Sequence, residues 1–162
     1  MAHELRVRRR ARLRGKEAAA LSAQLADSVG VGIEDAQAID SGDYDKIKVY
    51  ITGGRIAVFE HEGRPFPSLR LLLEKPPKAK HVTVDMGAIK FVCNGADIMA
   101  PGVVDADPGI ATGDAVWVRE ETHGKPLAVG LALVPGRDMV RGKGKAIKSL
   151  HHVGDSLWEF ED

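Results

Sequence analysis

The clearest periodicity in the chain lies at residues 16–29, where Leu21, Leu25 and Val29 recur every four positions among Ala18, Ala19, Ala20, Ala23 and Ala26. That spacing predicts a helix with one apolar stripe, and Gly30 follows as a residue suited to a left-handed cap. Alternation then takes over. Ile47, Val49 and Ile51, then Ile56 and Val58, predict strands over 47–51 and 55–60 with one face inward, joined by a hairpin at Thr52-Gly53-Gly54. Glu62 to Pro67 predicts a loop, and Ser68 an N-cap for a helix at Leu69–Glu74. Lys75-Pro76-Pro77-Lys78 interrupts all regular structure, because two prolines cannot continue a helix. A boundary there divides the chain into residues 1–78 and 79–162.

The second half has another rhythm. Val82–Asp85 predicts a short strand, and Met86–Cys93 a helix with Ile89, Val92 and Cys93 on its apolar side. Short β-like runs follow at Gly102–Val104, Ala115–Arg119, Leu127–Val134 and Leu157–Phe160. Turn residues separate them at Asp107-Pro108-Gly109, Gly113-Asp114, His123-Gly124 and Val153-Gly154-Asp155. Many short strands with regular turns point to a small β-barrel with a helix inserted early. The whole reads as an α+β fold. Two units of about 80 residues bury too little surface alone, so they are expected to pack on each other.

The chain has 162 residues, 44% of them hydrophobic and 28% charged, values of an ordinary globular protein. Lysine plus arginine equals aspartate plus glutamate at 23 each, so the mean charge points to no polyanion. The distribution does. Residues 1–16 carry seven basic groups (Arg6, Arg8, Arg9, Arg10, Arg12, Arg14, Lys16) against Glu4, a net of +6. Residues 137–148 carry Arg137, Arg141, Lys143, Lys145 and Lys148 against Asp138, a net of +4. Segregated charge creates a local positive field on a neutral molecule. Arg8, Arg10 and Arg12 are therefore a candidate second polyanion-contacting face, with a basic strand edge that discourages aggregation as the alternative.

Several chemistries are disfavoured early. Cys93 is the single cysteine, which leaves no intrachain disulfide and no multi-cysteine zinc site. The six histidines (His3, His61, His81, His123, His151, His152) form neither an HExxH nor an HxxxH pair, so no metal is expected. Cys93 reads as a buried structural thiol, and no GxSxG or close carboxylate pair stands out. No apolar run approaches the roughly 20 residues of a membrane span. No signal-peptide apolar region follows the basic start, and Val7, Ala11 and Leu13 do not share a helix face as a transit peptide would ask. A cytoplasmic protein with no membrane partner and no cofactor is the expectation.

Two stretches carry binding chemistry. Gly142-Lys143-Gly144-Lys145 departs from the Walker pattern, since five residues separate Gly136 from Gly142 and Gly144 stands where a hydroxyl is needed. Glycines without side chains still let backbone amides and ammonium groups approach a phosphate, while a solvated turn is the competing reading. Asn94 to Val103, rich in small residues, is either turn punctuation or a shallow groove for a flat nucleotide. Spacing alone leaves both pairs open.

The run Val84-Asp85-Met86-Gly87-Ala88-Ile89-Lys90-Phe91-Val92, continuing through Gly95-Ala96-Asp97-Ile98-Met99-Ala100-Pro101-Gly102, resembles the PUA domain. Pro126–Gly130, Gly142–Ala146 and His151–Trp158 resemble its closing strands. Pro67-Ser68-Leu69-Arg70-Leu71-Leu72 resembles the N-terminal domain of the malignant T-cell-amplified and ligatin-related family, which has free-standing archaeal members. The resemblance implies a small N-terminal α/β domain packed on a PUA pseudo-barrel of mixed strands with an inserted helix. It implies RNA binding without catalysis, on a surface of Lys90, Asn94, Gly95, Ala96, Asp97, Ile98, Met99, Pro101, Gly102, Gly142, Lys143, Gly144, Lys145 and Ala146. It further implies a role in translation on ribosomal or transfer RNA, at the small ribosomal subunit or the transfer-RNA acceptor end, in initiation, reinitiation or recycling. A separate initiation-factor-like protein is an implied partner. The alternatives are an accessory RNA-binding subunit for an RNA-modification or ribosome-assembly enzyme, and a small-ligand-binding protein or cryptic enzyme.

Overall fold

The computed structural model describes residues 6–33 and 38–162. His3 and Glu4 of the sequence reading lie outside the described residues. Among those described, the chain forms a five-stranded sheet ordered β1-β2-β3-β4-β5 and a six-stranded sheet ordered β7-β11-β10-β9-β6-β8. The first comprises β1 (Arg8–Arg12), β2 (Asp40–Tyr44), β3 (Ile47–Thr52), β4 (Arg55–His61) and β5 (Arg64–Pro67). The second comprises β6 (His81–Val84), β7 (Ile98–Met99), β8 (Val103–Ala106), β9 (Ala115–Glu120), β10 (Pro126–Ala132) and β11 (Lys145–His152). The first sheet is antiparallel throughout, whereas the second mixes antiparallel pairs with a parallel β6–β9 pair. The α+β class and the mixed pseudo-barrel are as expected.

The helices are α1 (Gly15–Val29), α2 (Leu69–Glu74), α3 (Ile89–Val92) and α4 (Ser156–Glu159). Leu21, Leu25 and Val29 form the buried stripe of α1, and Gly30, at φ +77°, donates its N–H to Ala26 to close the helix. Ser68 caps α2 by accepting from the Leu71 N–H, and its hydroxyl donates to Ile56 of β4 at 2.7 Å. Asp85 caps a short 3-10 turn at Met86–Ala88 that runs straight into α3, so the expected helix is real but tightly wound at its start.

Some elements differ from the sequence expectation. Leu157–Phe160 is not a strand: Asp155 accepts the Trp158 N–H and opens α4 there. Its Leu157 is buried because it faces the first sheet's core, which mimics a strand's alternation. The expected loop at 62–67 shrinks to a turn, and β5 pairs with β4 despite Pro65 and Pro67. It can do so because β5 is the sheet edge, where a missing donor costs no ladder bond. Strands β1 and β2 carry almost no apolar signal and pair Arg8 with Asp43 and Arg12 with Asp40. Cys93 is only half-buried, with burial pushing its thiol up from the ordinary value.

Strands β9 and β10 join the two halves. Ala115, Trp117 and Val129 point into the core built by Leu25, Phe59, Phe66, Leu69 and Leu72 of the first half. Their neighbours Val116, Val118 and Ala128 point the other way, into a core with Val82, Val84, Met139 and Ile147. Side chains alternate across a strand, so a sheet covered on both faces reads as nearly continuous apolar sequence. Polar contacts also cross the seam: Arg64 Nη1 donates to Gly113 O at 2.6 Å, Ser156 Oγ to Asp45 at 2.8 Å, and Arg70 lies 3.8 Å over the Trp158 ring.

The central polar contact is His151 of β11, buried to 1% exposure. Its Nε2 accepts the Leu69 N–H at the start of α2, 3.1 Å away, and its ring meets Phe59 edge-on at 5.4 Å. Nδ1 donates to the Asp155 carboxylate at 2.8 Å, which fixes the tautomer that leaves Nε2 free to accept. Burial pushes the Asp155 carboxyl up. The hydrogen bond from His151, with N–H groups of His152 and Trp158, outweighs it and holds the carboxyl below its ordinary range.

Because one core spans both sheets, unfolding followed by Trp117 and Trp158 fluorescence should coincide with loss of amide protection in 15–29. Two separated transitions would contradict the shared core. His151→Ala leaves the buried Leu69 N–H unpartnered and should lower stability by about 1–3 kcal/mol by denaturant titration. The depressed Asp155 carboxyl adds stability that is fully present above its unfolded pKa of about 3.9 and is lost as pH falls through the lower folded value. Asp155→Asn should therefore flatten the acid limb of the stability profile below about pH 4. An unchanged limb would show that Asp155 is not depressed.

Candidate nucleic-acid interface

The segment from Asp85 to Gly102 folds around α3 and returns through β7, leaving an open cleft of about 610 Å³. Its walls are largely carbon: Gly87, Ala88, Phe91, Val92, Ala96, Ile98, Met99, Pro101 and Gly102, with Asp85, Asp97 and Lys145 at the ends. Phe91 is 59% exposed and Met99 48%, unusual for side chains of their size. Backbone bonds join the two stretches singled out in the sequence. Lys145 of β11 pairs with Met99 of β7, and Ala100 donates to Gly144 O at 2.8 Å.

The cleft ends in two ion pairs. Arg141, at φ +49°, places Nη1 3.0 Å from Asp85 Oδ2 and 2.7 Å from Pro101 O. Lys145 Nζ lies 3.1 Å from Asp97 Oδ2, while Asp97 Oδ1 accepts the Ser149 N–H at 3.0 Å. Burial raises the Asp97 carboxyl, but the Ser149 N–H and Lys145 more than offset it, so the group sits below its ordinary range. Lys143 stands exposed in the adjoining turn with no carboxylate within ion-pair distance among the described residues. Lys90 projects from α3, 5.7 Å over the Phe91 ring. The result is a slot with an apolar floor and a cationic rim. It can hold a flat, uncharged ring between anionic groups.

Of the residues expected at this surface, Ala96, Asp97, Ile98, Met99, Pro101, Gly102 and Lys145 line the cleft. Lys90, Asn94, Lys143 and Gly144 are exposed beyond its walls. Ile98 and Ala146 are buried in the second core, so only their backbone can face a ligand. Gly95 has φ +88°, and a Cβ there would lie 2.8 Å from His152 Nε2, so it serves the fold rather than a bare approach to solvent. Gly142 is likewise structural, since a Cβ would collide with the Asp138 carbonyl, whereas Gly144, at φ +72°, meets nothing. Sequence reasoning missed Asp85, Phe91 and Arg141. Phe91 follows Lys90 in a four-residue helix whose neighbour Val92 is buried, and that register already turns Phe91 outward.

At the first sheet's edge, Arg10 and Arg12 share the Asp40 carboxylate at 2.8 and 2.5 Å, and Asp162 grips Arg10 at 2.7 and 3.0 Å. Arg8 is exposed on the same strand.

A scan against family models matches residues 80–154 to the PUA domain and residues 9–75 to a domain of unknown function, DUF1947. An uncharacterized protein of Methanocaldococcus jannaschii is 47% identical over 118 residues, covering 72% of this chain and 73% of its own. The translation machinery-associated protein 20 of Saccharomyces cerevisiae is 38% identical, covering 72% and 68%. Malignant T-cell-amplified sequence 1 of Rattus norvegicus is 32% identical, covering 73% and 68%. The chain belongs to this family. A hypothetical protein from Pyrococcus horikoshii superposes with a TM-score of 0.81 at 34% identity, over 93% of this chain and 98% of that one. The cleft thus lies wholly within the residues matched to the PUA domain.

Gly142→Ala should lower stability by about 1–3 kcal/mol, because the Asp138 carbonyl must move. Gly144→Asn should be nearly neutral, since asparagine tolerates a left-handed backbone and the space is open. Equal losses in chemical denaturation would refute this division of roles.

Proposed function

We propose that the protein binds RNA in the PUA cleft and acts in translation, without catalysis of its own. The observation that carries this reading is the cleft itself: Phe91 and Met99 exposed on an apolar floor, with Lys145 beside Asp97 at one end and Arg141 paired to Asp85 at the other, and Lys90 and Lys143 exposed beyond its walls. Aromatic and apolar faces accept unpaired bases, and the rim cations meet phosphates. Membership in a family that includes translation machinery-associated proteins directs the reading to ribosomal or transfer RNA. The site of action is then the small ribosomal subunit or the acceptor end of transfer RNA, in the cytoplasm, with a separate initiation-factor-like protein as partner. The chain divides for this purpose at Pro76-Pro77, into residues 1–78 and 79–162.

Lys143 and Lys145 contribute unequally in this reading. Lys145 already has Asp97 as its counter-charge, whereas Lys143 has none among the described residues. On single-stranded RNA, Lys143→Gln should flatten the dependence of log affinity on log salt by about 0.7, and Lys145→Gln by less. Phe91→Ala should cost about 1–3 kcal/mol of binding with the slope retained. Binding unaffected by Phe91→Ala would defeat the cleft assignment. Sedimentation of the protein with small subunits supports the translational role, and a stoichiometric complex with an RNA-modifying enzyme would overturn it.

A further inference from the structure

The cleft leaves the other basic run unused. Half of the chain's twelve arginines fall between residues 6 and 14, while all eleven of its lysines fall elsewhere. A strand edge protected only against aggregation is served by one or two lysines, which are strongly hydrated and cheap to keep apart. Arginine instead presents a rigid fork of donors that matches a phosphate's oxygens in pairs.

Strand β1 arranges these forks in two sets. Arg10 and Arg12 are tied down by Asp40 and Asp162, as described above, which holds both carboxylates below their ordinary range. These two arginines lock the edge and are not its contact groups. Arg8 and Arg9 form the second set. The β1–β2 register slips between Arg8 and Ala11, and Arg9 takes a left-handed φ of +54°, a conformation an arginine rarely adopts. The bulge throws Arg9 outward: its side chain is 90% exposed and its nearest carboxylate, on Asp43, is 4.0 Å away. Arg14 and Lys16 stand exposed where the chain enters α1. Among the described residues the carboxylates that meet the β1 arginines are Asp40, Asp43 and Asp162, and the close ones gather on Arg10 and Arg12 rather than on the exposed Arg8 and Arg9.

We propose that the bulged edge of β1, with Arg8 and Arg9 as its contact groups and Arg14 and Lys16 flanking them, is a second RNA-binding surface that grips the sugar–phosphate backbone without reading bases. No aromatic or large apolar side chain on β1 offers a base a platform, since its five exposed residues are Arg-Arg-Arg-Ala-Arg. The surface lies on the DUF1947 sheet and is independent of the PUA cleft. Together they would hold one RNA at two places fixed relative to each other by the shared core.

The test is binding of the full chain to unfractionated transfer RNA and to purified small ribosomal subunits over a salt series. Arg8→Ser with Arg9→Asn, asparagine keeping the left-handed backbone accessible, should flatten the salt slope by about 0.7–0.9 per lost contact, or about 1.4–1.8 in all. Thermal stability should be nearly unchanged, because the Arg9–Asp43 pair is long and solvent-exposed and such pairs contribute little. The effect should add to that of Lys143→Gln. Arg8→Lys with Arg9→Lys should keep most of the slope while weakening affinity, as expected for lost forks. A wild-type slope in the Arg8/Arg9 variant overturns the proposal, and a flattened Lys143→Gln slope in the same series shows that the cleft reading survives that failure. Retention of polyglutamate as tightly as transfer RNA at equal salt also overturns it, because the surface would then fit an acidic polypeptide.

Discussion

The first half of this protein cannot close its core from its own residues, and the rest of the arrangement follows from that shortage. The DUF1947 sheet is completed by Ala115, Trp117, Val129 and Leu157, all contributed after the proline linker. Units this small bury a modest share of their surface, so a borrowed wall decides whether they fold at all. His151 turns that apolar contact into a defined geometry. A greasy seam alone tolerates sliding, but an imidazole bonded at one nitrogen to the Leu69 N–H and at the other to Asp155 has a single productive position. The acceptor it offers sits at the first turn of α2, where a helix leaves its N–H groups without partners.

That fixed seam is what gives the cleft and the basic edge a constant relation. Their electrostatics are built alike. In each, some cations are matched by carboxylates that hold them in place, Asp97 and Asp85 in one case, Asp40 and Asp162 in the other. The remaining cations are less closely matched: among the described residues Lys143 and Arg8 have no carboxylate in ion-pair reach, and Arg9 has only Asp43 at 4.0 Å. A neutral molecule thereby keeps two positive surfaces without the self-repulsion that a wholly unmatched cluster brings.

The sequence carried the elements whose faces are unequally wetted. Helix α1, the β3–β4 hairpin, α2 with its Ser68 cap, and the double-sided β9 and β10 are all legible from apolar spacing. What it concealed depends on distant partners. Strands β1 and β2 form through charge pairing between segments about thirty residues apart, which no local period records. Leu157 looks like a strand residue until Asp155 is seen to start a helix. The cleft was half legible: small residues and lysines marked its place, and the family resemblance supplied its boundaries. Phe91 and Arg141 escaped because their exposure and partners are set by α3's register and by the turn after Met139, not by residue type.

The double-sided β9 and β10 also limit how this architecture can be rebuilt by gene fusion. Severed at Pro76-Pro77, the C-terminal half would present Trp117, Val129 and Leu157 as a bare oily flank, with His151 offering an acceptor to nothing. Such a piece is not a free-standing cassette. It can move into another chain only where a new neighbour covers the same flank and supplies a donor opposite the imidazole, so any successful transplant inherits not just an RNA-binding module but a prescribed direction in which that module must point.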